Sequence, residues 1–290
     1  MENILEVKGV TKKYKDFMLD NISFNIPRGS IMGLIGENGA GKTTAIKLIL
    51  GIIKADKGEI RIFDKPLSQD EKGIKELIGV VLDDSAFHET LNIKNVQKVM
   101  ANIYSMWDDK KFIGYCDKFS LPLDKKIKQF SKGMKMKLSI AVALSHGAQL
   151  LVLDEAMSGL DPVVRIEIMD IFMDFIQNEQ CSILISSHII GDLEKMCDYI
   201  TFINKGKIVL SDSKDLLLEE YGIIRCGATD IKKLDKQDII GYRQSMFNCG
   251  ALVKNRRAMA QKYKGFVIDK ASLEDIMLFY IKSDDGGELV

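Results

Sequence analysis

The stretch "GENGAGKT", Gly36 to Thr43, fits the spacing G-x-x-x-x-G-K-[ST]. Residues of these types in this order can wrap a chain of phosphates. Glycines let the backbone turn with its N–H groups inward. A helix that follows adds partial positive charge at its N-terminus. Lys42 would reach the β- and γ-phosphates, and the Thr43 hydroxyl would ligate Mg²⁺. A second group lies in "LLVLDEAMSGLD", Leu150 to Asp161. A buried strand ending in two carboxylates needs a cation or polar partners. Beside a phosphate-binding loop, Asp154 would hold Mg²⁺ and Glu155 would orient or deprotonate an attacking water, worth ~10²–10⁴-fold in rate. "SILISSH" places His188 just past another apolar strand. In a parallel sheet, ligands bind outside the carboxyl ends of the strands. Alone, a carboxylate pair or a histidine at a strand end is ordinary; the glycine-rich loop is what joins them.

The elements that must position these residues are of two kinds. "NISFNI" (Asn21 to Ile26) and "EIRIF" (Glu59 to Phe63) alternate apolar and polar residues, which suits antiparallel strands covered on one face. "IMGLIG", "LLVLD" and "SILIS" are nearly continuous apolar runs, which suit parallel strands covered on both faces. Helical spacing appears at Ile46, Ile49, Leu50 and Ile53, at Val96, Val99, Met100 and Ile103, and at Phe112, Tyr115, Cys116 and Phe119. The pattern predicts an α/β core with a helical lobe inserted at about 85–147. After Tyr221 short strands follow one another, and "SLEDIMLFYIK" reads as a final helix opened by a Ser272/Asp275 capping box. Leu273, Ile276, Met277 and Tyr280 share one face of it. The expected division is 1–220 for the nucleotide-binding part and 221–290 for a small α+β appendage. "SDDGGELV" reads as a frayed tail.

The chain has 290 residues and a formal net charge of zero, so no global field draws it to nucleic acid or anionic lipid. Its five cysteines are scattered with no CxxC pair, which points to reduced thiols rather than zinc. The N-terminus lacks the layout of a signal peptide, and no apolar run approaches the ~20 residues of a membrane span. Any membrane work would need another protein.

The order "GENGAGKT", "FSKGM", "LLVLDEAMSGLD", "SSH" resembles the ATP-binding subunit of ABC transporters over roughly Ile4 to Leu210. The resemblance implies a P-loop NTPase core with a parallel sheet, an antiparallel β subdomain and an inserted helical subdomain. It implies ATP on Gly36, Glu37, Asn38, Gly39, Ala40, Gly41, Lys42, Thr43 and Thr44, with Tyr14 stacked on adenine. It implies that Ser131 and Gly133 of "FSKGM" touch the γ-phosphate of ATP held by an opposing subunit. The Ser158–Asp161 loop would cross a head-to-tail dimer interface, and His188 would contact the γ-phosphate. The resemblance also implies a homodimer, or a heterodimer with another ATP-binding subunit, and an integral membrane permease as partner. The expected location is the inner face of the cell membrane.

Three positions depart from the family pattern. Asp83 (or Asp84, with a one-residue shift) stands where the family usually has glutamine; it is either a metal ligand or a residue that only shapes the loop. Lys132 stands where glycine is usual, and would be strained if that backbone needed a positive φ. Ala156 and Met157 replace a proline and a small polar residue. The helix that starts in "SKGMKMKLSIAVAL" is expected to carry Lys135 and Lys137 on a solvated face and to pack through Leu138, Ile140, Ala141 and Leu144. "YSMWDDKKF", "SKGMKMKL" and "SLEDIMLFYI" look most like bacterial exporter subunits. The alternative is a non-transport ATPase of the same fold with a regulatory role.

Overall fold

The computed structural model describes residues 2–82, 87–227, 230–244 and 249–283. Asp83, Asp84 and the tail from 284 onward lie outside the described residues. Two units are compact in themselves, Met1–Ile208 and Val209–Val290.

The first unit holds two sheets. Strands β1 (Asn3–Lys13), β2 (Met18–Pro27), β4 (Lys57–Ile62) and β5 (Lys65–Pro66) form an antiparallel sheet in the order β2-β1-β4-β5. The alternation of Ile22, Phe24 and Ile26 is realised as an inward face, all three buried. The second sheet has the order β10-β9-β3-β8-β7-β6, with β3 (Ile31–Ile35), β6 (Ile78–Val81), β7 (Leu150–Asp154), β8 (Ser182–Ser187) and β9 (Tyr199–Asn204) paired in parallel. Every residue of β3, β7 and β8 is buried, as their continuous apolar runs require. Helix α1 (Lys42–Ile49) contributes Ala45, Ile46, Leu48 and Ile49 to a core shared by both sheets. Strand β10 (Lys207–Ser213) follows β9 through the turn Lys205–Gly206, where both residues have positive φ, the backbone that suits a two-residue hairpin. That turn reaches across: Gly206 N–H donates to the Ala40 carbonyl at 2.9 Å, and Asp20 N–H donates to the Gly206 carbonyl at 2.8 Å.

The apolar spacing through Ile53 overruns α1, which stops at Ile49. Ile52 N–H returns to the Lys47 carbonyl at 2.9 Å and Gly51 N–H to the Leu48 carbonyl at 3.0 Å, with Gly51 at φ +63°. This pair of reversed bonds ends the helix.

Between β6 and β7 the described chain is helical: after the short α2 (Glu71–Glu76) that precedes β6 come α3 (Ile93–Ile103), α4 (Asp109–Lys118) and α5 (Lys132–Leu144). Asn92 and Asn95 form a reciprocal cap on α3, and Asp108 caps α4. Phe112, Cys116 and Phe119 are buried, as spaced; deleting a ring such as Phe112 costs ~3–5 kcal/mol. The α3 face behaves differently. Val96 is buried, but Val99 and Ile103 are exposed, so the apolar stripe runs out from under the lobe. The expected solvated lysine face of α5 also needs correction. The Lys137 side chain is only 14% exposed, paired with Glu167 at 2.6 Å and 5.5 Å over the Phe119 ring. Its aliphatic stem makes burial tolerable once the ammonium is paired. Leu138, Ile140, Ala141 and Leu144 are buried as expected. Helices α6 (Pro162–Ile176) and α7 (Ile190–Met196) flank β8 in sequence.

The second unit is an antiparallel sheet of β11 (Gly222–Cys226), β12 (Ile239–Gln244), β13 (Cys249–Val253) and β14 (Val267–Lys270), in the order β12-β13-β11-β14. Its core gathers Ile224, Ile231, Leu234, Cys249, Ala251 and Val253. Helix α10 (Leu273–Ser283) has the expected capping box: Ser272 N–H donates to Asp275 Oδ2 and Asp275 N–H to Ser272 Oγ, both at 3.1 Å. Helices α8 (Lys214–Glu220) and α9 (Arg256–Lys262) have no counterpart in the sequence reading. All five cysteines are free, and among the described residues no helix is long and apolar enough to cross a membrane.

Candidate active site

The glycine-rich stretch leaves β3 and enters α1. A Cβ on Gly36 would stand 2.4 Å from the Ile203 carbonyl oxygen, so the loop lies directly on β9. Gly41 has φ +115°, and a Cβ there would meet Leu19 at 2.9 Å and Phe17 at 3.0 Å. No side chain caps α1, and its first turn holds no acidic residue. Its N–H groups are thus left for an anion. Glu37, Asn38, Gly39 and Thr43 are exposed, Thr44 is half-buried, and Ala40 is buried. Lys42 is only 5% exposed. Its Nζ donates to the Gly36 carbonyl at 2.8 Å and the Glu37 carbonyl at 3.3 Å, and faces Glu155 Oε1 at 3.3 Å.

The carboxylates are set by the pairing of β7 with β8, which puts Asp154 opposite Ser186. Ser186 Oγ donates to Asp154 Oδ1 at 2.5 Å and accepts the Glu155 N–H at 3.1 Å. Glu155 leaves the strand at φ +52°, a backbone that costs a non-glycine residue roughly 1–3 kcal/mol. The bend turns its side chain from the strand direction toward Lys42 and His188. His188 Nδ1 lies 2.8 Å from Glu155 Oε2. Glu155 Oε1 is buried and makes no hydrogen bond; Lys42 is its ionic neighbour. The structure therefore strings Lys42, Glu155 and His188 together from three separate elements.

A second group forms around the loop after Glu155. Ser131 caps α5 by accepting the Met134 N–H at 3.2 Å. The nearest side chains to a Cβ on Gly133 would be Leu160 at 3.7 Å and Ser131 at 3.9 Å. Lys132 is the first residue of α5 and is not among the residues with positive φ, so the strain considered for it does not arise. Its side chain lies beside Gly159, with Nζ 3.6 Å from the Cβ position there. Asp161 caps α6, its Oδ1 accepting the N–H groups of Val163 and Val164 at 3.1 and 3.0 Å. Ala156 and Met157 are buried, which turns that part of the loop into core. Tyr14 is 43% exposed at the β1–β2 turn, with its ring 6.5 Å from that of Phe17. Phe17 in turn borders Gly41, which links the turn to the phosphate loop.

Sequence reasoning passed over Ser186 and Phe17. A buried serine ending an apolar strand was the available signal for Ser186; Phe17 had none beyond its place in a turn.

A groove opens elsewhere in the first unit. Glu71, Lys72, Lys75 and Glu76 on one side and Ile103 and Tyr104 on the other line a cavity of about 480 Å³. Ile103 and nearby Met106 are 57% and 64% exposed. Tyr104 stacks on His146 at 3.9 Å, and His146 Nδ1 is 3.1 Å from the Glu76 carbonyl. Burial pushes the imidazole below its ordinary value, against the raising effect of that carbonyl. Trp107 is drawn instead into its own lobe, where Nε1 donates to Asp109 at 2.8 Å and the ring sits 5.1 Å from Phe112.

Comparison with known proteins agrees with this geometry. The family model described as ABC transporter matches residues 19–158. The lantibiotic transport ATP-binding protein SrtF of Streptococcus pyogenes is 34% identical over 215 residues, 73% of this chain and 92% of that protein. The bacitracin transport ATP-binding protein BcrA of Bacillus licheniformis is 32% identical over 212 residues, 72% of this chain and 69% of that one. A solved ATP-binding subunit of an ABC transporter superposes with a TM-score of 0.66 at 27% identity, covering 74% of this chain and 92% of that structure. A phosphate loop, a strand-end carboxylate pair and this degree of likeness have one common reading: the chain belongs to the ABC transporter family, as an ATP-binding subunit and ATP hydrolase.

Proposed function

We propose that the chain drives export by a separate membrane permease, hydrolysing ATP at a head-to-tail interface between two ATP-binding subunits on the inner face of the membrane. The observation that carries the chemistry is the Lys42–Glu155–His188 string. Glu155 orients or deprotonates the attacking water, and Lys42, 3.3 Å from its buried Oε1, holds one oxygen of the carboxylate. His188 holds the other carboxylate oxygen and contacts the γ-phosphate. Residues Gly36 to Thr44 cradle the phosphates, and the exposed Tyr14 ring takes the adenine.

Mg²⁺ fits the donors present. Among the described residues no cluster of three or more His, Cys, Asp or Glu stands ready for a metal. Mg²⁺ held through one or two carboxylates and substrate phosphates needs none. Asp154 and Thr43 would hold it, with Asp83 a further oxygen donor; it would neutralise charge on the phosphates.

Ser131, Gly133 and Asp161 gather with Leu160 rather than bonding to Lys42, Glu155 or His188. That supports their assignment to the ATP of an opposing subunit, the same chain or another ATP-binding one. The groove beside Ile103, Tyr104 and Met106 offers an apolar seat with charged walls for a cytoplasmic helix of the permease. Two relatives named for lantibiotic and bacitracin transport support a transport role.

The test is to purify the tagged full chain from its own cells in detergent. A polytopic membrane protein should co-purify, and hydrolysis should need Mg²⁺. Glu155→Gln should keep ATP binding while turnover falls ~100-fold or more. Recovery without a membrane partner removes the transport reading; normal turnover in Glu155→Gln removes Glu155 from its role.

A further inference from the structure

The loop Ser158–Asp161 is gripped from inside its own chain. Met157 and Leu160 are 2% and 5% exposed, so the loop is anchored rather than free. Arg165, one turn into α6, reaches back to it: Nε donates to the Leu160 carbonyl at 3.2 Å. The same guanidinium reaches forward to α7, where NH1 donates to Asp192 Oδ2 at 3.2 Å. Asp192 lies in the first turn of α7, four residues after His188, and its side chain is 11% exposed. The contacts close a ring. Glu155 leads along the chain to Leu160, Leu160 to Arg165, Arg165 to Asp192, Asp192 through the start of α7 to His188, and His188 back to Glu155.

We infer that Arg165 is a positioning residue for hydrolysis: it fixes the Ser158–Asp161 loop against the helix that carries His188, so that the loop's placement sets His188 against Glu155. This rests on the roles proposed above for Glu155 and His188. The residue type fits the task. Arginine offers separate donors in one rigid plane, able to serve a backbone carbonyl and a carboxylate at once, whereas lysine is a single point charge. The pair is not an ordinary surface bridge, because Asp192 is nearly buried and each bond joins a different element.

The experiment measures ATP turnover by the full chain with Mg²⁺, normalised to ATP-binding sites, for Arg165→Met, Arg165→Lys, Asp192→Asn and the double variant Arg165→Met/Asp192→Asn. Misplacing a reacting group by ~1 Å costs ~100-fold, so kcat should fall about 10- to 100-fold while KM for ATP stays within about twofold. Arg165→Lys should recover part of the loss. The double variant should be no worse than Arg165→Met, because both substitutions break the same ring. Unchanged kcat per binding site overturns the inference. So does a loss explained by fewer ATP-binding sites, which marks a purely structural role. Glu155→Gln run alongside separates the failures: if it hydrolyses normally, the site reading itself is wrong; if it is slow while the Arg165 variants are normal, only the ring is wrong.

Discussion

At the scale of single residues, the chemistry rests on one serine as much as on the acids. Ser186 satisfies Asp154 and the strained Glu155 backbone together. Ser186→Ala removes the partner of Asp154 Oδ1 and one of the two acceptors of the Glu155 N–H, the other being the Ser186 carbonyl at 3.2 Å. It should cost about 1–3 kcal/mol of stability and also slow hydrolysis, checked by thermal unfolding and turnover on one preparation. Ser186→Thr, which keeps the hydroxyl, should lose less. Lys132, by contrast, occupies a helical position without positive φ beside Gly159, so its departure from the family pattern carries no backbone strain.

At the scale of elements, the junction of α3, α5 and β6 carries a buried titratable group. His146 is 1% exposed, with Glu76 and Lys111 as its charged neighbours and Tyr104 on its face. Its folded value lies below its ordinary 6.5 because burial disfavours the imidazolium. Below pH ~6.5 the unfolded chain therefore takes a proton that the folded chain resists, and stability falls as pH drops. His146→Gln should flatten stability between pH 7 and 5, read from denaturant midpoints at each pH; an unchanged slope would assign the acid sensitivity elsewhere. The neighbouring elements also show what could be read in advance. Strands β3, β7 and β8 were legible because burial on two faces demands unbroken apolar runs. Strand β1 was not, because bulges between Val7 and Val10 put Ile4, Leu5, Val7 and Val10 inside with no period of two. The loop Gly36–Thr43 and the acids Asp154 and Glu155 were legible because their chemistry dictates residue type. The ring through Arg165 was not, since arginine three residues into a helix is indistinguishable from a solvated one until the fold brings Asp192 to it.

At the scale of the molecule, each of the two units has its own core. We propose that residues 1–220 form the nucleotide-binding domain and 221–290 an accessory one. A chain ending at Glu220 should then bind ATP within about threefold of the full chain, under ~1 kcal/mol. Titration with a fluorescent ATP analogue checks this, and loss of binding would place part of the nucleotide site beyond Glu220.

The hairpin turn at Lys205–Gly206 has a consequence for how the site can be watched. Its Gly206 amide is bonded to the carbonyl of Ala40, inside the phosphate loop. A buried amide exchanges with deuterium only when its bond opens. The exchange rate at Gly206 is therefore a built-in gauge of the loop's stiffness, and should slow when ATP fills the cradle, with no label placed in the site.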